Sequence, residues 1–301
     1  MNINHLAIFR AVAEEGSVSR GAQRLRISQP AVSKQIRELE KSLGVALFHR
    51  LSTGVQLTEA GELLAGYARR LFAIEARAER ALAELKALER GRLRIGASTT
   101  IGAYLLPEVC ARFQREYSGL ELHVEIGNTR ETQRRLLDNE VDVAFTEGLK
   151  SGVAEAPDLQ ASVFHQDEIV AIVSPRHKLW RKAQRGPLSP EEFCKEPLVL
   201  REEGSGTRAV VEQALGERGV EWEGSLSLGS TEAIKRAVAA GIGVAFVSRL
   251  TLATELRAKT LKIVPLAGFK IERPLHRLRR RGDYEGRAVR EFVRMLREGE
   301  W

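Results

Sequence analysis

Gln29, Ser33, Lys34 and Arg37 stand about one helical turn apart in QPAVSKQIRELEKSL. A helix there presents an amide, a hydroxyl and two cations on one face. Such groups reach base edges and phosphates in a DNA groove, and one good bidentate base contact discriminates by about 1–3 kcal/mol. The other face carries Val32, Ile36, Leu39 and Leu43 at core spacing, with Ser28 as cap and Pro30 in the first turn. An ordinary polar helix face has the same composition, so the surroundings decide. RGAQRLR (Arg20 to Arg26) predicts a short helix before a tight turn, and VALFHRLSTGVQLT (Val45 to Thr58) predicts a two-stranded wing. Residues 20–50 hold seven basic side chains against two acidic ones. A winged helix-turn-helix reading double-stranded DNA is expected.

A second set of polar groups sits where apolar strand candidates end. Ser98, Thr99 and Thr100 follow LRIGA, Asn128 and Thr129 follow HVEIG, Gly204 to Arg208 follow PLVLREE, and Ser230 and Thr231 follow LSLG. Singly, each reads as a helix N-cap. Four at equivalent junctions also predict a crevice whose hydroxyls and backbone N–H groups bind an anion, helped by helix dipoles. Ser205, Thr207 and Arg208 lie in the Gly-rich EGSGTR loop, which lacks the lysine of a phosphate-binding P-loop. Arg208 is the expected bidentate cation. Glu147 and Glu202, also at strand ends, temper the positive charge, accepting a ligand hydroxyl or holding a cation in place. A small anionic effector is predicted (an oxyanion, a carboxylate or a phosphorylated metabolite), with a non-anionic metabolite as the alternative; no cofactor is called for.

The elements that must position these groups follow from periodicity. A first helix over Asn4 to Glu14 buries Leu6, Ile8, Phe9, Val12 and Ala13; Ser17 caps a second, in which Ala22 and Leu25 point inward. From Thr58, two seven-residue series, Leu57, Leu64, Leu71, Ala78, Leu85 and Ala60, Tyr67, Ile74, Ala81, Leu88, predict a helical rod of about 45 Å to Leu88. One apolar seam on so long a helix needs a partner, and the same helix of a second subunit supplies it. Two heads related by a twofold axis then read a palindromic, interrupted promoter site. Beyond Arg92, strands alternate with helices over Leu105 to Tyr117, Thr129 to Asn139, Arg208 to Arg218 and Thr231 to Ala240, predicting α/β layers with largely parallel sheets.

A chain of 301 residues is long enough for two or three domains. No apolar run reaches membrane-span length and no signal-peptide pattern opens the chain, so a soluble cytoplasmic protein with no membrane partner is expected. Cys110 and Cys194 show no metal spacing and read as buried apolar residues. The net charge of +7 favours a polyanionic partner. A run of Arg273, Arg277, Arg279, Arg280, Arg281 and Arg287 reads as solvated surface. Six histidines form no HExxH, and GxSxG and a post-strand GxGxxG are missing, which speaks against an enzyme. A lone solute-binding protein would carry an export signal and no reading head.

The segment FRAVAEEGSVSRGAQRLRISQPAVSKQIRELEKSLGVALFHR followed by LTEAG resembles the LysR-type transcriptional regulators, and the likeness extends over the whole chain. It implies that Ser28, Gln29, Pro30, Ser33, Lys34 and Arg37 lie on the DNA-reading element and Arg50 and Thr53 in the wing. It implies a reading head over 1–58, a linker and dimerisation helix over 59–90, and an effector-binding domain over 91–301. That domain resembles type II periplasmic binding proteins, with two Rossmann-like subdomains, 91–163 with 268–301, and 164–267. Two strands cross between them, the first near Ser162 to Asp167 and the return near Leu266 to Lys270. The resemblance further implies a homodimer or homotetramer and RNA polymerase as a partner. STT followed by REEGSGTR and GSTEAI is most similar to the branch governing sulfur assimilation and carbon fixation.

Overall fold

Asn2 accepts the Asn4 amide on its side chain and Gly16 turns left-handed, which bounds α1 (Ile3–Glu15). Ser17 caps α2 (Val18–Leu25), and Ser28 caps α3 (Gln29–Leu43) with Pro30 in the first turn, where no helical N–H is lost. β1 (Phe48–Leu51) and β2 (Gly54–Leu57) pair antiparallel, Phe48 opposite Leu57. Thr58 then caps α4 (Glu59–Glu84), its hydroxyl accepting the Gly61 amide at 3.0 Å and donating to Ala46 O at 2.7 Å. The glycine of LTEAG is needed here: a Cβ at Gly61 would stand 2.1 Å from Leu47 O. The computed structural model describes residues 1–51, 54–84, 91–148 and 157–299, and the chain divides into the units Met1–Arg80 and Ala81–Trp301.

Within the first unit, Ile8, Val12, Ala22, Val32 and Ile36 form one core, and Leu6, Phe9, Leu39, Leu47, Ala65, Ala68 and Phe72 a second. The face of α4 that packs on the head centres on Ala65, Ala68 and Phe72, with Ala60, Leu64 and Leu71 of the heptad series partly buried against the same core. Of that series Leu64 and Leu71 are half-buried, while Tyr67 is 61% and Ile74 49% exposed. The small alanines take the most buried positions, and of the larger heptad side chains Tyr67 and Ile74 are left on the outer side. Leu85 and Leu88 lie outside the described residues. Two core expectations shift likewise: Leu43, in the last turn of α3, is exposed, and Ala11 rather than Ala13 is fully buried.

In the second unit the first subdomain contains β3 (Gly91–Ser98), α5 (Thr99–Tyr104), α6 (Leu106–Glu116), β4 (Leu120–Gly127), α7 (Thr129–Leu137) and β5 (Val143–Glu147). The long β6 (Leu159–Val173) leads into α8 (Lys178–Ala183), α9 (Pro190–Cys194), β7 (Leu198–Arg201), α10 (Gly206–Gly216), β8 (Gly224–Leu228), α11 (Thr231–Ala239), β9 (Ala245–Ser248), α12 (Ala253–Arg257) and β10 (Lys262–Val264). β11 (Ile271–Arg280) and α13 (Arg287–Arg297) complete it. β3 runs parallel to β4 and β5, and β7 parallel to β8, as the alternating pattern predicts. β6 and β11 break the parallel rule because the chain leaves the first subdomain along one and returns along the other, so they pair antiparallel. Along β6, Ile169, Ala171 and Val173 enter one core and Val170 and Ile172 another, so this half of the strand is buried on both faces.

The outward crossing includes Ser162 to Asp167. The return does not fall at Leu266 to Lys270, which is the turn around Gly268, but at Ile271 to Leu275: Ile271 packs in the second subdomain and Leu275 in the first. The IERPLHRLRR stretch escapes a strand reading because its arginines mask the alternation of Ile271, Leu275 and neighbouring positions. The solvated-surface expectation for the basic run is accordingly overturned at Arg273, which is 1% exposed. Arg280 also turns inward, donating to Val141 O at 3.0 Å and pairing with Asp283 at 2.5 Å.

Candidate functional site

On the reading head, Ser28 accepts the Ala31 amide, fixing the start of α3, and Gln29 accepts from the Ser19 hydroxyl at 3.2 Å. Gln29, Pro30, Lys34 and Arg37 are exposed and Ser33 half-buried, while Val32, Ile36 and Leu39 hold the helix from behind. Lys34 lies 3.9 Å from Glu38, one turn on. Arg50 is in β1, and Thr53 lies outside the described residues. The helix thus offers a polar, cationic face of the composition base and phosphate contacts require.

In the second unit the strand-end residues fall into three groups. The first is sealed between the crossing strands. Arg273 faces Asp167 in the register of β11 and β6, donating from Nε at 2.8 Å and placing Nη2 at 2.7 Å from the same oxygen. Its Nη1 donates to Thr207 Oγ1 at 2.8 Å and lies 3.6 Å from Glu147. Ser98 donates to Glu147, and Ser248 donates to Asp167 at 2.8 Å. Ser98, Glu147 and Thr207 are buried in this network, so their polar atoms are spent on Arg273 and its counter-charges.

The second group centres on Arg201, whose side chain is 3% exposed. Its Nη2 donates to Thr99 of the first subdomain at 3.3 Å, and its Nη1 to Thr231 of the second at 3.1 Å. Thr99 in turn donates to Gly127 O at 3.2 Å. Glu202 takes the fork of the same guanidinium at 2.8 and 2.9 Å. Burial works to raise the Glu202 pKa, but the hydrogen bonds and charge of Arg201, with help from Asn128, hold it below the usual carboxylate range. Sequence reasoning missed Arg201. The available signal was a cation directly after the apolar run PLVL, at the strand end where a crevice opens.

The third group lines an open pocket of about 290 Å³ between the starts of α7 and α10: Thr129, Arg130, Gln133, Gly204, Ser205 and Arg208 among its walls. Asn128 caps α7 in a full capping box with Glu131, and Ser205 and Ser230 cap α10 and α11. The two subdomains meet here through bare backbone: a Cβ on Gly206 would lie 2.2 Å from Glu147 O. Arg208 is at the pocket, yet its Nε is held by Glu212 at 2.7 Å and its Nη1 by Arg201 O at 3.2 Å, whereas Arg201 reaches a hydroxyl on each subdomain. Thr100 is buried with a hydroxyl that meets no partner among the described residues.

A further tie crosses between the subdomains at Lys235, whose Nζ donates to Tyr104 OH at 3.0 Å and Thr251 O at 2.7 Å and lies 2.9 Å from Glu255. Burial raises the Cys110 and Cys194 thiols to about 11, which leaves them without the thiolate that reactivity needs. Among the described residues no group of His, Cys, Asp and Glu could hold a metal ion, and no helix is long and apolar enough to cross a membrane.

Residues 3–62 match the family model described as bacterial regulatory helix-turn-helix protein, lysR family, and residues 86–301 match the LysR substrate binding domain. A probable RuBisCO transcriptional regulator of Thalassiosira pseudonana is 33% identical over 298 residues, 98% of this chain and 96% of the relative. Among solved structures, a full-length OxyR variant from Pseudomonas aeruginosa superposes with a TM-score of 0.72 at 24% identity, covering 99% of this chain and 95% of that one, a likeness of fold. The regulatory domain of Synechocystis CcmR in complex with 2-PG gives a TM-score of 0.63 at 28% identity, covering 69% of this chain and 97% of that one. With a reading head matched at its start and a ligand-binding domain over the rest, the chain belongs to the LysR family of DNA-binding transcriptional regulators.

Proposed function

We propose that this regulator works in the cytoplasm as a dimer or dimer of dimers, reading an interrupted palindrome with Gln29, Ser33, Lys34 and Arg37 and answering to a small anionic metabolite held between its effector subdomains. The observation that carries the effector reading is Arg201: a buried guanidinium reaching Thr99 on one subdomain and Thr231 on the other. A cation so placed gives an anion a charge-assisted contact that depends on both subdomains, so binding biases their arrangement. The neighbouring pocket lies between the starts of α7 and α10, whose dipoles favour negative charge, and adds the Arg130 cation for the remainder of the ligand. The 2-PG held by the CcmR domain supports the phosphorylated-metabolite class, and the RuBisCO regulator supports carbon-fixation genes as the target.

A thermal-shift screen of sulfate, sulfite, phosphosugars and small carboxylates tests the effector reading. A ligand at one hundred times its dissociation constant stabilises the folded state by about 2.7 kcal/mol, well within reach of such a screen. No shift from any anion, with a shift from a neutral metabolite, overturns the anionic class.

A further inference from the structure

We infer that Glu202 is a tethered stand-in for the effector's anionic group, occupying the guanidinium fork of Arg201 until a ligand oxyanion displaces it. The inference rests on the reading of Arg201 as the effector's cation. It adds the residue that competes with the ligand and thereby sets which ligands succeed.

The geometry is that of a bound ligand. Glu202 Oε2 accepts from Arg201 Nε at 2.8 Å and Oε1 from Nη2 at 2.9 Å, the paired contact by which a guanidinium holds a free carboxylate or phosphoryl group. Consecutive residues in a strand point to opposite faces, so this pairing needs the chain to leave the strand at once. It does: β7 ends at Arg201, and Gly204, with a φ of +84°, turns the loop back. The remaining contacts of Arg201 run from Nη1 to Thr231 and from Nη2 to Thr99, so the Nε–Nη2 edge is the one Glu202 holds. The Glu202 side chain is 28% exposed where that of Arg201 is 3% exposed, so the carboxylate is reachable by solvent, and leaving the fork gives up its contacts to Arg201 and Asn128.

Competition of this kind raises the threshold for binding. A buried guanidinium with no counter-charge would take up any available anion; with Glu202 in place, an incoming group must outbid a carboxylate of high effective concentration. A dianionic phosphoryl group meets that demand better than a monocarboxylate, because its second charge strengthens the contact to the same cation.

Calorimetric titration of the full-length protein with inorganic phosphate tests this, on wild type, Glu202→Gln, Glu202→Ala and Arg201→Gln, each checked for an intact thermal transition. Removing the competing charge should tighten phosphate binding by at least about tenfold in both Glu202 variants, the size of one charge-assisted hydrogen bond. Arg201→Gln should lose binding. If the Glu202 variants bind phosphate no more tightly than wild type while Arg201→Gln loses it, Glu202 is no competitor and the inference fails with the effector site intact. If Arg201→Gln binds as wild type does, the anion sits elsewhere and the site reading fails too. Phosphate binding to neither wild type nor the Glu202 variants also overturns the inference.

Discussion

Arg273 and Asp167 face each other across the two antiparallel strands that join the effector subdomains, hydrogen-bonded through Nε at 2.8 Å, with Nη2 at 2.7 Å from the same oxygen, and sealed from water. The pair stands at the place where the chain crosses twice, and through Thr207 and Glu147 it touches the residues that flank the Gly148–Gly206 contact. A buried guanidinium here is tolerable because Asp167 and Glu147 neutralise it, Asp167 and Thr207 accept from Nε and Nη1, and Nη2 is held beside Asp167 by charge.

Breaking that pair from one side leaves an uncompensated charge. Arg273→Met should destabilise the effector domain by about 3–5 kcal/mol, and Asp167→Asn should be damaging in the same sense. Urea unfolding of the isolated variants, followed by far-UV circular dichroism, measures it. A loss below about 1 kcal/mol for Arg273→Met would mean the network is poorly formed in solution.

The reading face has a graded test. Arg37→Ala and Ser33→Ala should each weaken specific DNA binding by about 1–3 kcal/mol if they touch base edges, and Arg37→Ala should also reduce the steepness of salt dependence if it touches phosphate. Gel shifts on a duplex selected from a random pool by the wild-type protein, at several salt concentrations, separate the two. Unchanged affinity in both variants removes the face from the interface.

Tyr67 and Ile74 expose apolar surface on one side of α4 while Ala65, Ala68 and Phe72 are consumed by the head. Placing glutamate at both positions should leave the head folded and shift the protein toward monomer in analytical ultracentrifugation, because two charges would be buried in any helix-to-helix seam. An unaltered sedimentation profile would place the self-association surface off this face of α4.

Acid should weaken the effector domain through His177. Its Nδ1 accepts the Leu179 amide at 3.3 Å at the start of α8, a role only the neutral ring can fill. Burial lowers its pKa below the ordinary 6.5, opposed by Glu196 and assisted by Lys178. As pH falls below 6.5 the unfolded chain takes up a proton that the folded chain refuses, so stability is lost from there down through the depressed folded value. His276, lowered by burial as well, acts in the same direction. His177→Asn keeps a capping side chain without the titration, and its urea midpoint should fall less between about pH 7.5 and about pH 5.5 than that of wild type. Equal losses in the two proteins would remove His177 as a source.

What the sequence by itself determined is the part governed by local rules. Helix caps at Ser17, Ser28, Asn128, Ser205 and Ser230, the apolar period of α3 and the short strands of the sensor are fixed by residues close together in the chain, and they stand where their spacing puts them. Tertiary structure decided how charges met. Asp167 and Arg273 are 106 residues apart, and Thr99 and Arg201 are 102 apart, so no window of sequence shows either contact. It also decided which face of α4 the head would take: a heptad marks apolar positions, but whether alanine or tyrosine turns inward depends on how closely another helix can approach. The arginines of β11 make the same point. Along the chain they look like a solvated charge run, and only the opposing strand, with Asp167 at the matching position, turns Arg273 into a buried residue.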